Sequence, residues 1–259
     1  MQLRIDYDAC PLCDSKKLVK SSVGDCSGHP LYKSEIPKLM QWMDCGDCGH
    51  QFVSGYFSET ANELIFSGTH ENQKVGFQVE QQRAISARMI EKIIPFKSNG
   101  AWLDVGFGNG SLLFTAQEYG FHPIGVDLRQ ENVKKLKELG IEAYCDYVEG
   151  IDFTRSISVV SMMDVLEHIP YPKKVLKSLF LKMEDSACLL ISMPNMESIV
   201  WKWMTHSKSN PYLGEIEHFH NFSRSRLFSL LEECGFQPLR YGISERYRAC
   251  MEVIAVKKI

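Results

Sequence analysis

The stretch that most constrains this chain is Ala101-Trp102-Leu103-Asp104-Val105, running directly into Gly106-Phe107-Gly108-Asn109-Gly110 and then Ser111-Leu112-Leu113-Phe114. A short apolar run, a turn with three glycines and a helical pattern read as strand, tight turn and helix. Glycines let the backbone turn sharply and bring a ligand close to the main chain, while the free amides at the helix start favour a carboxylate or phosphate. A strict dinucleotide fingerprint would need a glycine where Ser111 stands. The stretch therefore predicts an α/β ligand site without deciding the ligand.

Its surroundings extend the pattern. His122-Pro123-Ile124-Gly125-Val126-Asp127 reads as a second strand whose terminal carboxylate lies 21 positions beyond Gly106. An acid there can accept both hydroxyls of a ribose, as in any nucleoside-bearing cofactor, NAD included. Ile157 to Met163 and Cys188 to Asn195 are buried-type strands, and Phe236 to Ser244 and Arg248 to Val256 read as a closing pair. Upstream, Ile85, Met89 and Ile93 form one helical stripe within residues 78–94, ended by Pro95.

With these elements in place, Leu103-Asp104-Val105-Gly106-x-Gly108-x-Gly110 resembles the first motif of class I S-adenosylmethionine (SAM)-dependent methyltransferases. The resemblance runs from about Trp102 to the C terminus. It implies an α/β, Rossmann-like seven-stranded sheet. It also implies that Asp104 and the turn at Gly106, Gly108 and Gly110 hold the methionine part of SAM, that Asp127 holds the ribose hydroxyls, and that Asp146 meets the adenine amino group. A turn-forming role is the alternative for Asp146. Met163, at the tip of the fourth strand, would line the methyl-transfer channel with Met162, or both belong to the core.

Nine cysteines include two C-x-x-C pairs, Cys10-Pro-Leu-Cys13 and Cys45-Gly-Asp-Cys48, with 31 residues between them. In a reducing compartment such pairs read as a metal site, and four thiolates complete the tetrahedral shell of a structural Zn²⁺. Unliganded buried cysteines are the alternative, and Cys26, His29 or His50 could replace one ligand. The expected division is a zinc-ribbon-like module over residues 1–55, a linker with lead-in helices over 56–95, and a catalytic domain over 96–259.

Asp164-Val165-Leu166-Glu167-His168-Ile169-Pro170 resembles the corresponding run of ubiquinone-type O-methyltransferases, some of which bind a divalent ion there; Asp164, Glu167 and His168 would be its ligands. More widely, that Glu and His serve as hydrogen-bonding partners across the turn. Further on, Glu217-His218 precedes Phe222-Ser223, where Ser223 reads as the N-cap of a helix buried through Leu227, Leu230 and Leu231. A near-neutral histidine beside a carboxylate suits proton removal from an acceptor. His218 is thus the expected base, with Glu217 orienting it and His220 a weaker candidate. This pair is similar to that of zinc-module sugar C-methyltransferases, but Gly214-Glu215-Ile216 stands where that group carries a tyrosine-bearing stretch. O-methylation of a sugar, nucleotide-linked sugar or glycan precursor is the resulting expectation, with C-methylation as the alternative. An aromatic stretch at Trp201, Trp203 and Tyr212 reads as either a lid or a surface helix.

A net charge of −3 with scattered lysines gives no field for a phosphate backbone, so nucleic acid is not expected as a substrate. No apolar leader or long apolar run is seen, which predicts a cytoplasmic protein without membrane association. Two other classes stay open: a NAD-dependent oxidoreductase, opposed by Ser111, and a non-catalytic scaffold, opposed by the intact turn and Asp127. Oligomeric state is not readable.

Overall fold

The computed structural model describes residues 3–65 and 71–258; residues 66–70, within the expected linker, lie outside the described residues. The described residues pack as two compact units, of which the first combines 3–65 with 167–173 and 194–230, and the second takes the rest.

The second unit holds a seven-stranded sheet. Its strands are β6 (Ala101–Val105), β7 (His122–Val126), β8 (Glu142–Tyr144), β9 (Ile157–Met163), β10 (Met183–Pro194), β12 (Phe236–Ile243) and β13 (Cys250–Lys257). They lie in the order β12-β13-β10-β9-β6-β7-β8. β10, β9, β6, β7 and β8 pair in parallel, and β12 pairs with β13 antiparallel. Every residue of β6 and β9 is buried, the pattern of central parallel strands covered on both faces. Helices α2 (Val79–Ile93), α3 (Ser111–Glu118) and α4 (Gln130–Glu138) join this unit. α2 buries Met89, Ile90 and Ile93 in the same core as Trp102, Leu113, Leu136 and Leu190. Each such Leu or Ile contributes roughly 1.5–3 kcal/mol by leaving water.

The first unit is built on a four-stranded sheet in the order β11-β4-β3-β2, with β2 (Leu18–Asp25), β3 (Leu39–Cys45), β4 (Gln51–Val53) and β11 (His220–Asn221). A second, two-stranded sheet pairs β1 (Arg4–Asp6) with β5 (Gly55–Phe57). Their core contains Ile36, Met40, Trp42, Val53 and Ile65, and also Ile216 and Phe219 from far along the chain. Helix α1 (Glu59–Ile65) follows β5; α5 is Pro172–Lys182, α6 Ile199–His206 and α7 Arg224–Glu233. Ser223 caps α7, its Oγ accepting the Arg226 amide at 3.0 Å, and Leu227, Leu230 and Leu231 are fully buried. On α6, Trp201 is buried while Ile199 and Trp203 face solvent. Among the described residues no helix is long and apolar enough to cross a membrane.

Candidate active site

In the second unit the glycine turn leaves β6 with Gly106, Gly108 and Gly110 all at positive φ (70°, 54° and 77°). A Cβ on Gly106 would stand 2.7 Å from Val165 Cγ2, so backbone conformation and space both require glycine there. The turn is tied to the neighbouring strand: the Gly106 amide donates to the Val126 carbonyl at 2.7 Å. Asp127, 4% exposed at the end of β7, accepts the amide of Arg129 at 2.9 Å and that of Gly108 at 3.4 Å. Its carboxylate thus sits beside the turn.

Asp104, beneath the turn, accepts from the Ser161 hydroxyl at 2.6 Å, and Ser161 in turn accepts from the Trp102 indole at 2.9 Å. Burial pushes the Asp104 carboxyl up to about 7, although Ser161 and Arg246 pull it back. Met163 is buried in the unit's core, and its carbonyl accepts from Arg246 Nη1 at 3.2 Å. Asp146 is exposed just past β8, where its Oδ1 accepts the Tyr147 amide. Asp164, at the tip of β9, adopts a left-handed φ of 59° and accepts from the Ser192 hydroxyl at 2.9 Å.

In the first unit the four cysteines converge, with Cys10 Sγ 3.7 Å from Cys48 Sγ and Cys13 Sγ 3.6 Å from Cys45 Sγ. Those separations fit the edge of a tetrahedron with metal–sulfur bonds of about 2.3 Å, whose corners stand about 3.8 Å apart. Each pair forms a knuckle followed by a left-handed residue, Asp14 (φ 60°) and Gly49 (φ 68°). Burial pushes the Cys45 thiol up, but the amides of Cys48 and Asp47 outweigh it and bring the pKa down to about 7. Amides aimed at sulfur are what a thiolate ligand needs.

The loop carrying Glu217 and His218 also belongs to the first unit. His218 is 5% exposed, its buried Nδ1 has no hydrogen-bond partner among the described residues, and its ring stacks on Tyr212 and meets His168 edge-on at 4.8 Å. Burial holds its pKa well below the usual histidine value, and His168, His29 and His220 add to the effect. The ring is therefore neutral at pH 7. Glu217 meets the neighbouring histidine through its backbone, its carbonyl lying 2.9 Å from His168 Nδ1. Its carboxylate converges with those of Glu215 and with His29. Among the described residues no hydrogen bond joins the Glu217 carboxylate to His218, so the orienting contact expected from the sequence is not formed. Glu167 and His168 converge instead with His218, their ligand-type atoms within 4.8 Å of one another. His29 Nε2 lies 2.6 Å from Glu215, a neighbourhood that the sequence did not reveal.

A family model described as a methyltransferase domain matches residues 76–241. The chain belongs to this methyltransferase family. Solved structures agree in fold. Magnesium protoporphyrin IX methyltransferase from Synechocystis with bound S-adenosylhomocysteine is 15% identical, with TM-score 0.54 over 70% of this chain and 84% of that one. A SAM-dependent methyltransferase from Methanosarcina mazei is 17% identical, with TM-score 0.52 over 65% and 97% of the two chains. Another, from Clostridium acetobutylicum, is 11% identical, with TM-score 0.53 over 77% and 97%. No curated protein sequence matches. Family, sheet order and glycine turn together make the chain a class I SAM-dependent methyltransferase, with SAM as its cofactor.

Proposed function

We propose that this methyltransferase acts on a hydroxyl of a small sugar-linked metabolite, a nucleotide-linked sugar or a glycan precursor, with His218 receiving the acceptor proton. The observation that carries the base assignment is the buried, neutral His218 with an unpartnered Nδ1. SAM, when bound, supplies a methyl carbon made electrophilic by its sulfonium. Transfer of that methyl to the acceptor oxygen would break the carbon–sulfur bond and leave a thioether, and His218 would take the hydroxyl proton. An alkylated oxygen is strongly acidic, so a histidine of low basicity suffices if it is neutral and close. Glu217 serves this arrangement through its carbonyl on His168, holding the ring next to His218.

On the cofactor side, the turn at Gly106, Gly108 and Gly110 with Asp104 would take the methionine part, Asp127 the ribose and Asp146 the adenine; Met163 would border the methyl group. Cys10, Cys13, Cys45 and Cys48 would hold a structural Zn²⁺ with no open position, and so no role in chemistry. The sugar-linked acceptor rests on the resemblance of the Glu217-His218 loop.

The reading is tested by incubating the protein with methyl-labelled SAM and a panel of nucleoside-diphosphate sugars. A labelled methyl ether is expected. His218→Asn should lower its rate by about 10²–10⁴-fold with SAM affinity intact; wild-type turnover in that variant would refute the base assignment.

A further inference from the structure

Several residues flanking His218 are fastened to the cysteine module, while Glu217 and Phe219 also bond to His168 and Glu167. The Leu213 carbonyl accepts the Trp42 indole N–H at 2.9 Å, and the Gly24 backbone approaches it so closely that a Cβ there would overlap it. Ile216 and Phe219 are part of the module's core. Just beyond His218, β11 adds to the module's sheet as an edge strand, with His220 paired to Phe52 and Asn221 to Gln51.

One buried polar tie closes this arrangement. His50, two residues past Cys48, places Nε2 2.9 Å from His220 Nδ1. His220 Nε2 faces the carbonyls of Ile169 and Pro170 at 2.9 and 3.3 Å, so Nε2 carries the ring proton and Nδ1 is the acceptor. His50 must therefore donate from Nε2, which leaves its own buried Nδ1 as a lone pair with no partner among the described residues. Both rings are fully enclosed, at 0% and 1% exposure. A phenylalanine would remove the unmet His50 Nδ1 but would leave the buried His220 Nδ1 without its donor. What the imidazole adds is a directed bond that fixes the rotation of His220 and, through its carbonyl contacts, the 169–170 turn.

We propose that His50 is a positioning residue: through its hydrogen bond to His220 the cysteine module sets the placement of His218. This rests on the reading of His218 as the base, but its test does not use methyl transfer, so the two can fail separately.

The full-length protein is compared with His50→Phe and His50→Gln, the latter keeping an N–H donor. Zinc content and SAM affinity should stay within twofold of wild type in both. In wild type, ring-nitrogen NMR should show His220 protonated on Nε2 and one set of His218 ring resonances. In His50→Phe, the His218 ring resonances should shift and broaden, and amides 216–222 should lose at least about tenfold of their exchange protection. His50→Gln should restore both. An unchanged His218 resonance and unchanged protection in His50→Phe would overturn the proposal. If His50→Phe does not fold, His220→Leu, outside the cysteine pairs, is read by the same two signals: their loss with zinc retained supports the proposal, and their persistence overturns it.

Discussion

The Ser161 hydroxyl donates to Asp104 at 2.6 Å inside the sheet, to a carboxyl that is only 4% exposed and has no ion pair among the described residues. Burial dominates and lifts its pKa to about 7. For a carboxyl raised above its unfolded value, folding is favoured while the group is protonated. Stability is lost as pH rises from about 4 to about 7 and is constant above that, by at most about 4 kcal/mol. Asp104→Asn can still accept from Ser161 and escapes this loss. Urea unfolding at pH 5 and pH 8 should show the variant gaining on wild type at the higher pH; an equal difference at both would contradict the assignment.

His220 behaves in the opposite sense. Burial lowers its pKa to about 4, with the Ile169 and Pro170 carbonyls resisting and His168 assisting. The unfolded chain takes up a proton below about 6.5 that the folded chain refuses. Stability present above pH 6.5 is therefore lost as pH falls towards 4, by up to about 3 kcal/mol from this group. Thermal unfolding across that window should be less steep in His220→Gln than in wild type, and parallel curves would count against the buried neutral ring.

The cysteine geometry predicts one zinc ion per chain by elemental analysis of protein produced in zinc-replete medium. Cys45→Ser should reduce that content severalfold and lower the unfolding temperature, because structural zinc contributes about 10 kcal/mol or more to such modules. Wild-type protein without zinc would mean that the thiols, 3.6–3.7 Å apart, serve only packing.

Gly106→Ala tests the turn. The new methyl would meet Val165 at 2.7 Å, at a φ of +70° that alanine rarely adopts. A loss of about 1–3 kcal/mol in stability and at least tenfold in SAM affinity is expected, read by unfolding and by calorimetry. Wild-type affinity would show that the turn does not touch the cofactor.

Much of the catalytic sheet was legible because its signals are local. The glycine turn, the buried strands and the Ser223 cap are each written within a few consecutive residues, and the cap forms as its spacing implies. The packing of residues 167–173 and 194–230 with residues 3–65 is not legible in the sequence. β11 is two residues long and finds its partner, β4, some 170 positions away, as do the rings of His50 and His220. So short a strand has no periodicity to read. His50 looked like a loop residue or a spare zinc ligand, and it is a fully buried donor. Glu217 was expected to orient His218 through its carboxylate. The turn closed by the His218 amide on the Glu215 carbonyl leaves the Glu217 carbonyl on His168 and its carboxylate towards His29, an outcome that adjacency in sequence cannot foretell.

Calorimetric titration with SAM and S-adenosylhomocysteine, comparing wild type with Asp127→Ala, bears most directly on the cofactor site. Asp127 holds the Gly108 and Arg129 amides beside the turn, so one-to-one binding in wild type and a loss of at least about a hundredfold in the variant are predicted, as two charge-assisted hydrogen bonds to ribose would give. Equal affinity in the two proteins would contradict the placement of the ribose, and no binding in wild type would contradict the cofactor itself.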